Sequence, residues 1–463
     1  MIILPAIVYQ YPYPNHSDDT PRHLEVINRV VAGEGYSDLW ELRNAYAGPA
    51  FVGLIIKALH TDPYWTFYVF HYLALIAMVI MIWVFTRKVF NRAAANIAVP
   101  AVVLCTPPFL QYFYNGVIFN MIDLFIFGLL GIMALVYWLR TRRPYYAVVS
   151  ILLFAIAVVF HSSTGLYLAV GVIFFLGCYT LRNAKKRAWG TVRRPIVYGA
   201  AFCALCGPLA YYLSPELTRV ARYVYNGVAA GGGTAPERMI ISVGDFLTGY
   251  ISIAVVAALA VALIYIWRRK LQAPVGLGVL AALIIALGLN TFVFKVIEPT
   301  RSAHDLAMIT TLAGAGALGV AVQRVQWARY HSAICAGVIV FLALPVLTFW
   351  TGYNSAVRPA DQEAIACLNE LSGDTYSVST QVQPSIYSIF LQGKTYEADG
   401  GEYVVYRSDP MSNERNPRDN WGQIFITGPE STEADYDGLP VVGEFNDGVV
   451  KVVIYKNGGD HVR

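Results

Sequence analysis

Two adjacent carboxylates near the start of the chain, Asp18 and Asp19, have the residue type and spacing best suited to catalysis. A carboxylate in a place of low dielectric becomes a better proton acceptor and can serve as a general base. Asp19 also suits the N-cap of a helix whose first turn holds Thr20 and Pro21. That structural role requires one Asp and does not explain two. The pair therefore predicts a catalytic base, with capping of the helix over 20–33 as the structural alternative.

The same stretch contains side chains that bind divalent cations. His16 and His23 lie within five residues of the two carboxylates, and Arg22 and Glu25 lie close by. Carboxylate and imidazole groups are common ligands of Zn²⁺ and related ions, but this spacing matches no specific metal motif. A divalent cation held by Asp18, Asp19 and His23 therefore stays an alternative, and no other cofactor is expected.

Composition decides which kind of fold must position these residues. The 463-residue chain is 56% hydrophobic and only 14% charged, and its mean hydropathy is +0.49. These values exclude a soluble or disordered protein. Because about 20 apolar residues cross a bilayer as a helix, the apolar runs predict about ten spans. They are residues 63–86, 94–113, 117–139, 144–161, 163–181, 195–213, 244–267, 271–294, 303–323 and 331–352. An eleventh span ending near residue 11 is also expected.

The basic residues indicate how these spans are oriented. Half of the 34 Lys and Arg residues fall in five short loops that contain no Asp or Glu, near residues 87–92, 140–143, 182–194, 268–270 and 324–329. By the positive-inside rule these loops are cytoplasmic. The segments 12–62, 113–117, 161–164, 214–243, 295–305 and everything after 352 are then extracytoplasmic. Almost all the candidate catalytic and binding residues are therefore expected at the outer face of an integral protein of the cell membrane.

A change of composition after Val357 predicts a small extracytoplasmic α/β domain. The expected domains are therefore a transmembrane domain over 1–356 and an extracytoplasmic domain over 357–463. A helix starting at Pro359 would place Ile365, Leu368 and Leu371 on one face. The strands expected are 376–380, 402–407, 423–427 and 449–456. Residues 446–448, Asn-Asp-Gly, form a hairpin signal between 441–445 and the last strand.

Cationic side chains at the predicted outer boundary are candidates for binding an anion. Lys295, Arg301 and His304 lie within ten residues, and Arg301 and His304 are about one turn apart. Arg219 and Arg222 lie in the 214–243 loop. These are candidate ligands of a phosphate, and the alternative is that their charged ends simply reach the membrane interface.

Ionisable residues inside the predicted spans are few. Asp123 is a candidate for function because an intramembrane carboxylate is costly, and Asn120 lies nearby as a second candidate contact to a sugar or acceptor. His71 and His161 are interpreted as packing histidines. Net charge is only +4, which gives no indication of a nucleic-acid partner.

The first loop resembles that of the C-type (GT-C) membrane glycosyltransferases. The resemblance rests on Asp18-Asp19 followed by His23-Leu24, on a second helix starting near Tyr46-Ala47-Gly48-Pro49-Ala50, on the many spans, and on the C-terminal outer domain. The superfamily includes protein O-mannosyltransferases, lipid A aminoarabinose transferases and the catalytic subunits of oligosaccharyltransferases. The oligosaccharyltransferases are disfavoured because residues 419–422, Asp-Asn-Trp-Gly, do not match their W-W-D-x-G signature.

The resemblance implies an inverting transfer of a sugar from a polyprenyl (dolichyl or undecaprenyl) phosphate to a glycan, lipid or protein on the outer face, with a first-loop Asp as base. His23, Asp123 and Asn120 are then expected near the sugar or acceptor. Two other classes stay open. A transporter or lipid flippase would place charged residues near the midplane of broken helices, and a non-catalytic scaffold would need no base.

Overall fold

A computed structural model describes residues 19–33, 47–106, 109, 118–185, 189–213, 241–251, 253–269, 274–294, 299–323, 333, 336–337, 340, 359–371, 377–380, 395–396, 402–408, 433–448 and 450–457. The structure divides into two compact units. One comprises Val26–Phe113 and Val117–Thr351, and the other comprises Met1–Glu25, Tyr114–Gly116 and Gly352–Arg463.

The first of these units is helical throughout its described part. In chain order, with α1 beginning in the other unit, the helices are α1 (Asp19–Ala32), α2 (Ala47–Leu59), α3 (Pro63–Val89), α4 (Arg92–Cys105), α5 (Ile118–Thr141), α6 (Pro144–Phe160), α7 (Ser162–Lys185), α8 (Trp189–Leu213), α9 (Val243–Asp245 with π-helical Phe246–Tyr250), α10 (Ile253–Arg268), α11 (Val275–Gly288 with π-helical Leu289–Phe294) and α12 (Pro299–Val322).

Five helices in the described ranges are long and apolar enough to cross a membrane: α3, α5, α7, α11 and α12. Helices α4, α6 and α10 are also apolar but shorter. The architecture is therefore that of a polytopic α-helical membrane protein. Most of the predicted span 331–352, the segment Met1–Gln10 and the inner loop around Lys186 lie outside the described residues.

The predicted spans differ from the observed helices in their interior geometry. The span 244–267 is interrupted, because Ile251 has an extended backbone (φ −138°, ψ 136°) between α9 and α10. Within the described residues three segments are π-helical: Asp123–Gly128 within α5, Phe246–Tyr250, and Leu289–Phe294. Since π-helical turns widen a helix locally and recur at functional sites, these three segments mark where the helices depart from ordinary packing.

Local sequence explains where several helices begin. The side chain of Asp62 accepts a hydrogen bond from the Trp65 backbone N–H, and Pro63 occupies the first turn of α3. Asn91 caps α4 in the same way through Ala94 N–H. These caps satisfy backbone donors that a helix start leaves unpaired.

Two helices in the predicted first loop pack through small residues. Helix α1 runs from Asp19 to Ala32, close to the expected 20–33, and its Ile27 is fully buried. A Cβ at Gly53 of α2 would lie 2.9 Å from Val30 Cβ, and one at Gly48 would lie 2.4 Å from the Phe119 ring. Glycine at these two positions therefore permits α2 to approach both α1 and α5.

The C-terminal unit is a mixed sheet with one helix. Strands β1 (Ser377–Thr380), β2 (Thr395–Tyr396), β3 (Tyr403–Arg407), β4 (Val441–Asn446) and β5 (Lys451–Lys456) pair in the order β2-β1-β3-β5-β4. The pairs β1–β2 and β1–β3 are parallel and the others antiparallel. The expected Asn446–Gly448 turn joins β4 to β5, with Gly448 at φ +83°. The predicted strand 423–427 lies outside the described residues.

Helix α13 (Pro359–Glu370) covers one face of this sheet. Its Ile365 and Leu368 are buried against Val405, Val452 and Ile454, as the apolar spacing predicts. Asp361 on the same helix forms a buried two-point ion pair with Arg407 of β3, with both N–O distances 3.0 Å. On the surface, a hydrogen bond with Glu433 raises the pKa of Lys451.

Candidate active site

Several polar side chains of the helical unit Val26–Phe113 and Val117–Thr351, called the membrane unit below, meet at the first two turns of α12. This helix packs on α4, α10 and α11, which are largely apolar, yet its N-terminal turns contain four polar residues. Each of the four contacts a different neighbouring element, and they are Arg301, Ser302, His304 and Asp305. This part of α12 therefore organises the candidate site.

Asp305 is the centre of a buried hydrogen-bond cluster. Its Oδ1 accepts from Asn120 Nδ2 at 3.2 Å, and its Oδ2 accepts from Thr164 Oγ1 at 3.3 Å. Thr164 also donates to Asn120 Oδ1. All three side chains are at most 1% exposed. The cluster thus joins α5, α7 and α12 through groups that require partners once buried.

Arg301 lies one turn before Asp305 and is partly exposed. Its Nη1 is 3.4 Å from Nε2 of His161, the residue between α6 and α7. Arg301 is in the first turn of α12, and His161 directly precedes α7, so two helix N-termini meet here. Helix N-termini attract anions through free backbone N–H groups and the helix dipole. The arrangement suits the binding of an anionic group such as a phosphate.

The other two polar residues of α12 contact two of the π-helical segments. The ring of His304 lies edge-on to Tyr250, with centroids 4.8 Å apart. Ser302 Oγ accepts from Asn290 Nδ2 at 3.0 Å and lies 2.8 Å from Thr291 Oγ1. His304 is fully buried, so it faces a different neighbour from Arg301 although the two are one turn apart.

Asp123 is unusual among the buried groups of the described chain. It is fully buried at the start of the π-helical turn in α5, and within the described ranges neither carboxylate oxygen has a hydrogen-bond partner. Asp305 acts on it electrostatically as a neighbouring like charge. A buried carboxylate without hydrogen bonds is costly, which marks Asp123 as a candidate for a functional contact.

The predicted site residues are therefore distributed unevenly. Arg301, Asn120 and Asp123 lie in or beside the cluster, and His304 lies on the same helix. Asp19 begins α1, and His23 is a buried residue of that helix. Five of the predicted residues lie outside the described part of the chain: His16, Asp18, Arg219, Arg222 and Lys295. No three potential metal-binding side chains converge among the described residues, and of the proposed cation ligands Asp18 lies outside them.

Two residues of the cluster, Thr164 and Asp305, and the neighbouring His161 are not assigned to the site by sequence patterns. Thr164 and Asp305 are unremarkable in type, and their contacts to Asn120 span 44 and 185 residues. His161 is expected only to pack, yet it contacts Arg301. The one local signal is the sequence His161-Ser162-Ser163-Thr164, a polar stretch between two apolar helices.

Comparison with solved structures identifies the fold. The oligosaccharyltransferase of Archaeoglobus fulgidus is similar in its apo form (TM-score 0.52, 12% identity, 86% of this chain and 67% of that chain). Its complex with Zn and sulfate is also similar (TM-score 0.55, 13% identity, 87% and 66%). This chain thus spans about two thirds of the length of that enzyme.

A second protein of known structure matches along nearly its whole length. It is ArnT from Cupriavidus metallidurans bound to undecaprenyl phosphate, with a TM-score of 0.54, 12% identity, and coverage of 100% of this chain and 98% of that chain. No protein-family model and no curated protein sequence matches this chain. The likeness therefore concerns structure, and by its architecture the protein is an integral membrane protein with the C-type glycosyltransferase fold expected from the sequence.

Proposed function

We propose that the protein is an inverting glycosyltransferase that moves a sugar from a polyprenyl phosphate to an acceptor on the extracytoplasmic face. The observation that carries the proposal is the likeness to ArnT over 100% of this chain, because that protein was solved with undecaprenyl phosphate bound. The pair of helix N-termini with Arg301 supports it independently, since a lipid phosphate presents an anion at the membrane boundary.

In this proposal Arg301 binds the phosphate that leaves with the lipid. A guanidinium makes charge-assisted hydrogen bonds to phosphate oxygens and stabilises charge that grows during the transfer. Lys295, His304, Arg219 and Arg222 are further proposed phosphate ligands. Asp123 would accept hydrogen bonds from hydroxyl groups of the sugar or acceptor, whereas both polar atoms of Asn120 already have protein partners.

The base in the proposed reaction is Asp18 or Asp19. The acceptor hydroxyl oxygen attacks the anomeric carbon as the bond to the phosphate oxygen breaks, and the hydroxyl proton passes to the carboxylate. Polyprenyl phosphate leaves with the bonding electron pair. One displacement inverts the anomeric configuration, and a phosphate leaving group needs no acid, so one carboxylate suffices where a glycosidase uses two.

The test uses the full chain in membranes supplied with labelled polyprenyl-phosphate sugars, measuring sugar transferred to endogenous acceptor and polyprenyl phosphate released. The variants are Asp18→Asn, Asp19→Asn and the double variant, because Asn caps a helix as well as Asp but cannot serve as a carboxylate base. Removing the base should lower turnover on the order of a hundredfold or more. Asp437→Asn, a substitution of an exposed aspartate in the C-terminal unit, is the matched control.

Three outcomes are informative. Loss of turnover in one Asn variant, with normal membrane yield and an active control variant, supports the mechanism. Full turnover in the double variant overturns the assignment of the base. A wild-type protein that leaves every labelled donor intact overturns the enzyme itself, and movement of intact donor between leaflets would instead identify a flippase.

A further inference from the structure

His161 occupies a fixed position between two apolar helices. It is 4% exposed, with an extended backbone (φ −148°, ψ 95°) that separates α6 from α7. Its backbone N–H donates to Ala157 O, and its carbonyl accepts from Gly165 N–H, both at 3.0 Å. A Cβ at Gly165 would lie 2.5 Å from Val158 backbone atoms. The backbone that carries the imidazole ring is therefore closely confined.

Two N–H groups approach the two nitrogens of this ring. The Thr164 backbone N–H points at Nδ1 at 3.4 Å, and Arg301 Nη1 lies 3.4 Å from Nε2. A neutral imidazole has one acceptor nitrogen and one N–H, and a charged one has no acceptor. At least one of these two contacts must therefore bring two donors together.

The position of Thr164 decides which contact that is. Its N–H belongs to the first turn of α7, and its hydroxyl is held by Asn120 and by Asp305 at 3.3 Å, so this donor cannot turn away. Nδ1 is then the acceptor and Nε2 carries the hydrogen. Arg301 is partly exposed and has a flexible side chain, so its guanidinium can turn beside the Nε2–H and present a second donor next to it.

Such a pair is well placed for one anionic oxygen. Charge-assisted N–H···O⁻ bonds are about 2.8 Å long, and an oxygen at that distance from both nitrogens fits two donors that are 3.4 Å apart. The oxygen would accept one hydrogen bond from each of the two nitrogens. The buried position of the ring strengthens these bonds relative to bonds in water.

We infer that His161 is a second ligand of the lipid phosphate, donating its Nε2–H beside Arg301. Thr164 fixes the required tautomer through its backbone N–H, and Asp305 holds Thr164 in place. This inference rests on the proposed function and adds to it a residue that sequence patterns assign to packing.

Two substitutions separate the nitrogens of the ring. In His161→Asn the amide oxygen can occupy the place of Nδ1 and accept from Thr164, but nothing reaches the place of Nε2. In His161→Gln the amide nitrogen can reach the place of Nε2 and donate. The measurement is the Kd of the full chain in lipid nanodiscs for undecaprenyl phosphate, with undecaprenol and inorganic phosphate as separate probes.

We expect wild type to bind undecaprenyl phosphate but not undecaprenol, and inorganic phosphate to compete. His161→Asn should weaken undecaprenyl phosphate binding about tenfold to a hundredfold, the usual effect of losing a hydrogen bond to a charged group. His161→Gln should stay within about threefold of wild type, given a donor in the same place. His71→Asn is the matched control, because His71 is a fully buried histidine packed on Phe67.

Wild-type affinity in His161→Asn, together with weak binding by Arg301→Ala, overturns the role of His161 and leaves the proposed function standing. Equal weakening in the Asn and Gln variants also overturns it, because the ring then acts by packing. If His161→Asn does not fold, His161→Leu replaces it, and binding by Gln but not by Leu supports the inference. Absence of undecaprenyl phosphate binding by wild type overturns both proposals.

Discussion

Asp305 and Asp123 are two buried carboxylates in one region of the membrane unit, and the structure predicts opposite responses to their removal. Asp305 accepts hydrogen bonds from Asn120 and Thr164, whereas the oxygens of Asp123 have no hydrogen-bond partner among the described residues. Truncating Asp305 removes both of these hydrogen bonds and leaves the buried Asn120 Nδ2 without this acceptor, whereas the Thr164 hydroxyl keeps Asn120 Oδ1. Truncating Asp123 removes a group whose burial is not compensated by such bonds.

The expected magnitudes follow from the number of bonds. Hydrogen bonds between membrane helices contribute roughly 0.6 to 1.7 kcal/mol each, so Asp305→Ala should lower the free energy of unfolding by about 1 to 3 kcal/mol. Asp305→Asn should cost less than about 1 kcal/mol, because its amide can accept from Asn120 and donate to Thr164. Asp123→Ala should leave stability unchanged or raise it, since a buried polar group without hydrogen bonds is destabilising.

The assay is equilibrium unfolding of the full chain in mixed micelles, followed by helical circular dichroism, with Asp123→Asn as the isosteric control. Equal destabilisation by Asp123→Ala and Asp305→Ala would refute this account, because it would mean that the two carboxylates have equivalent partners. An Asp305→Ala protein within about 0.5 kcal/mol of wild type would show that the hydrogen-bond cluster contributes little.

Three further predictions concern other parts of the chain. Arg301→Ala should raise the concentration of lipid-phosphate donor needed for half-maximal transfer about tenfold to a hundredfold. Arg301→Lys should be intermediate because the charge remains but the two-pronged guanidinium is lost. Equal donor titrations for wild type and both variants would contradict this. A cysteine at position 186, replacing Lys186, should react with an impermeant maleimide only from the cytoplasm, and one replacing Glu433 only from outside. Labelling of both cysteines from the same face would refute the orientation. Asp361→Asn should destabilise the C-terminal unit by about 3 to 5 kcal/mol, since Arg407 is left buried without its carboxylate, which limited proteolysis at strand β3 would detect.

Local patterns in the sequence predict the helices well, for identifiable physical reasons. Helix α3 begins at Pro63 and α6 at Pro144, as expected from proline at a first turn. The hairpin at Asn446–Gly448 follows from turn chemistry, with Asn446 Oδ1 accepting from the Gly448 N–H at 2.8 Å. In each case the deciding interaction lies within a few residues of the element that it defines.

The candidate site depends on interactions that such patterns do not contain. Nothing near Asn120 in sequence indicates that its partner is Asp305, and the apolar run 244–267 gives no sign of the break at Ile251. The sequence also does not show that Arg301 and His304 contact different neighbours. Residues three apart on a helix still point in directions about 60° apart, and only the structure shows what each side chain meets. Prediction from sequence therefore places candidates near the site without arranging them.

The hydrogen-bond cluster has a consequence for how the protein is made. Asn120 and Thr164 are synthesised 185 and 141 residues before Asp305, which at ordinary rates of translation is on the order of 10 to 40 s. During that interval their polar groups are already at the membrane, but the Asp305 carboxylate that later accepts their hydrogen bonds has not yet been synthesised. Helices α5 and α7 must therefore be kept in contact with water, with the insertion machinery or with each other until α12 arrives, and the site can be assembled only then.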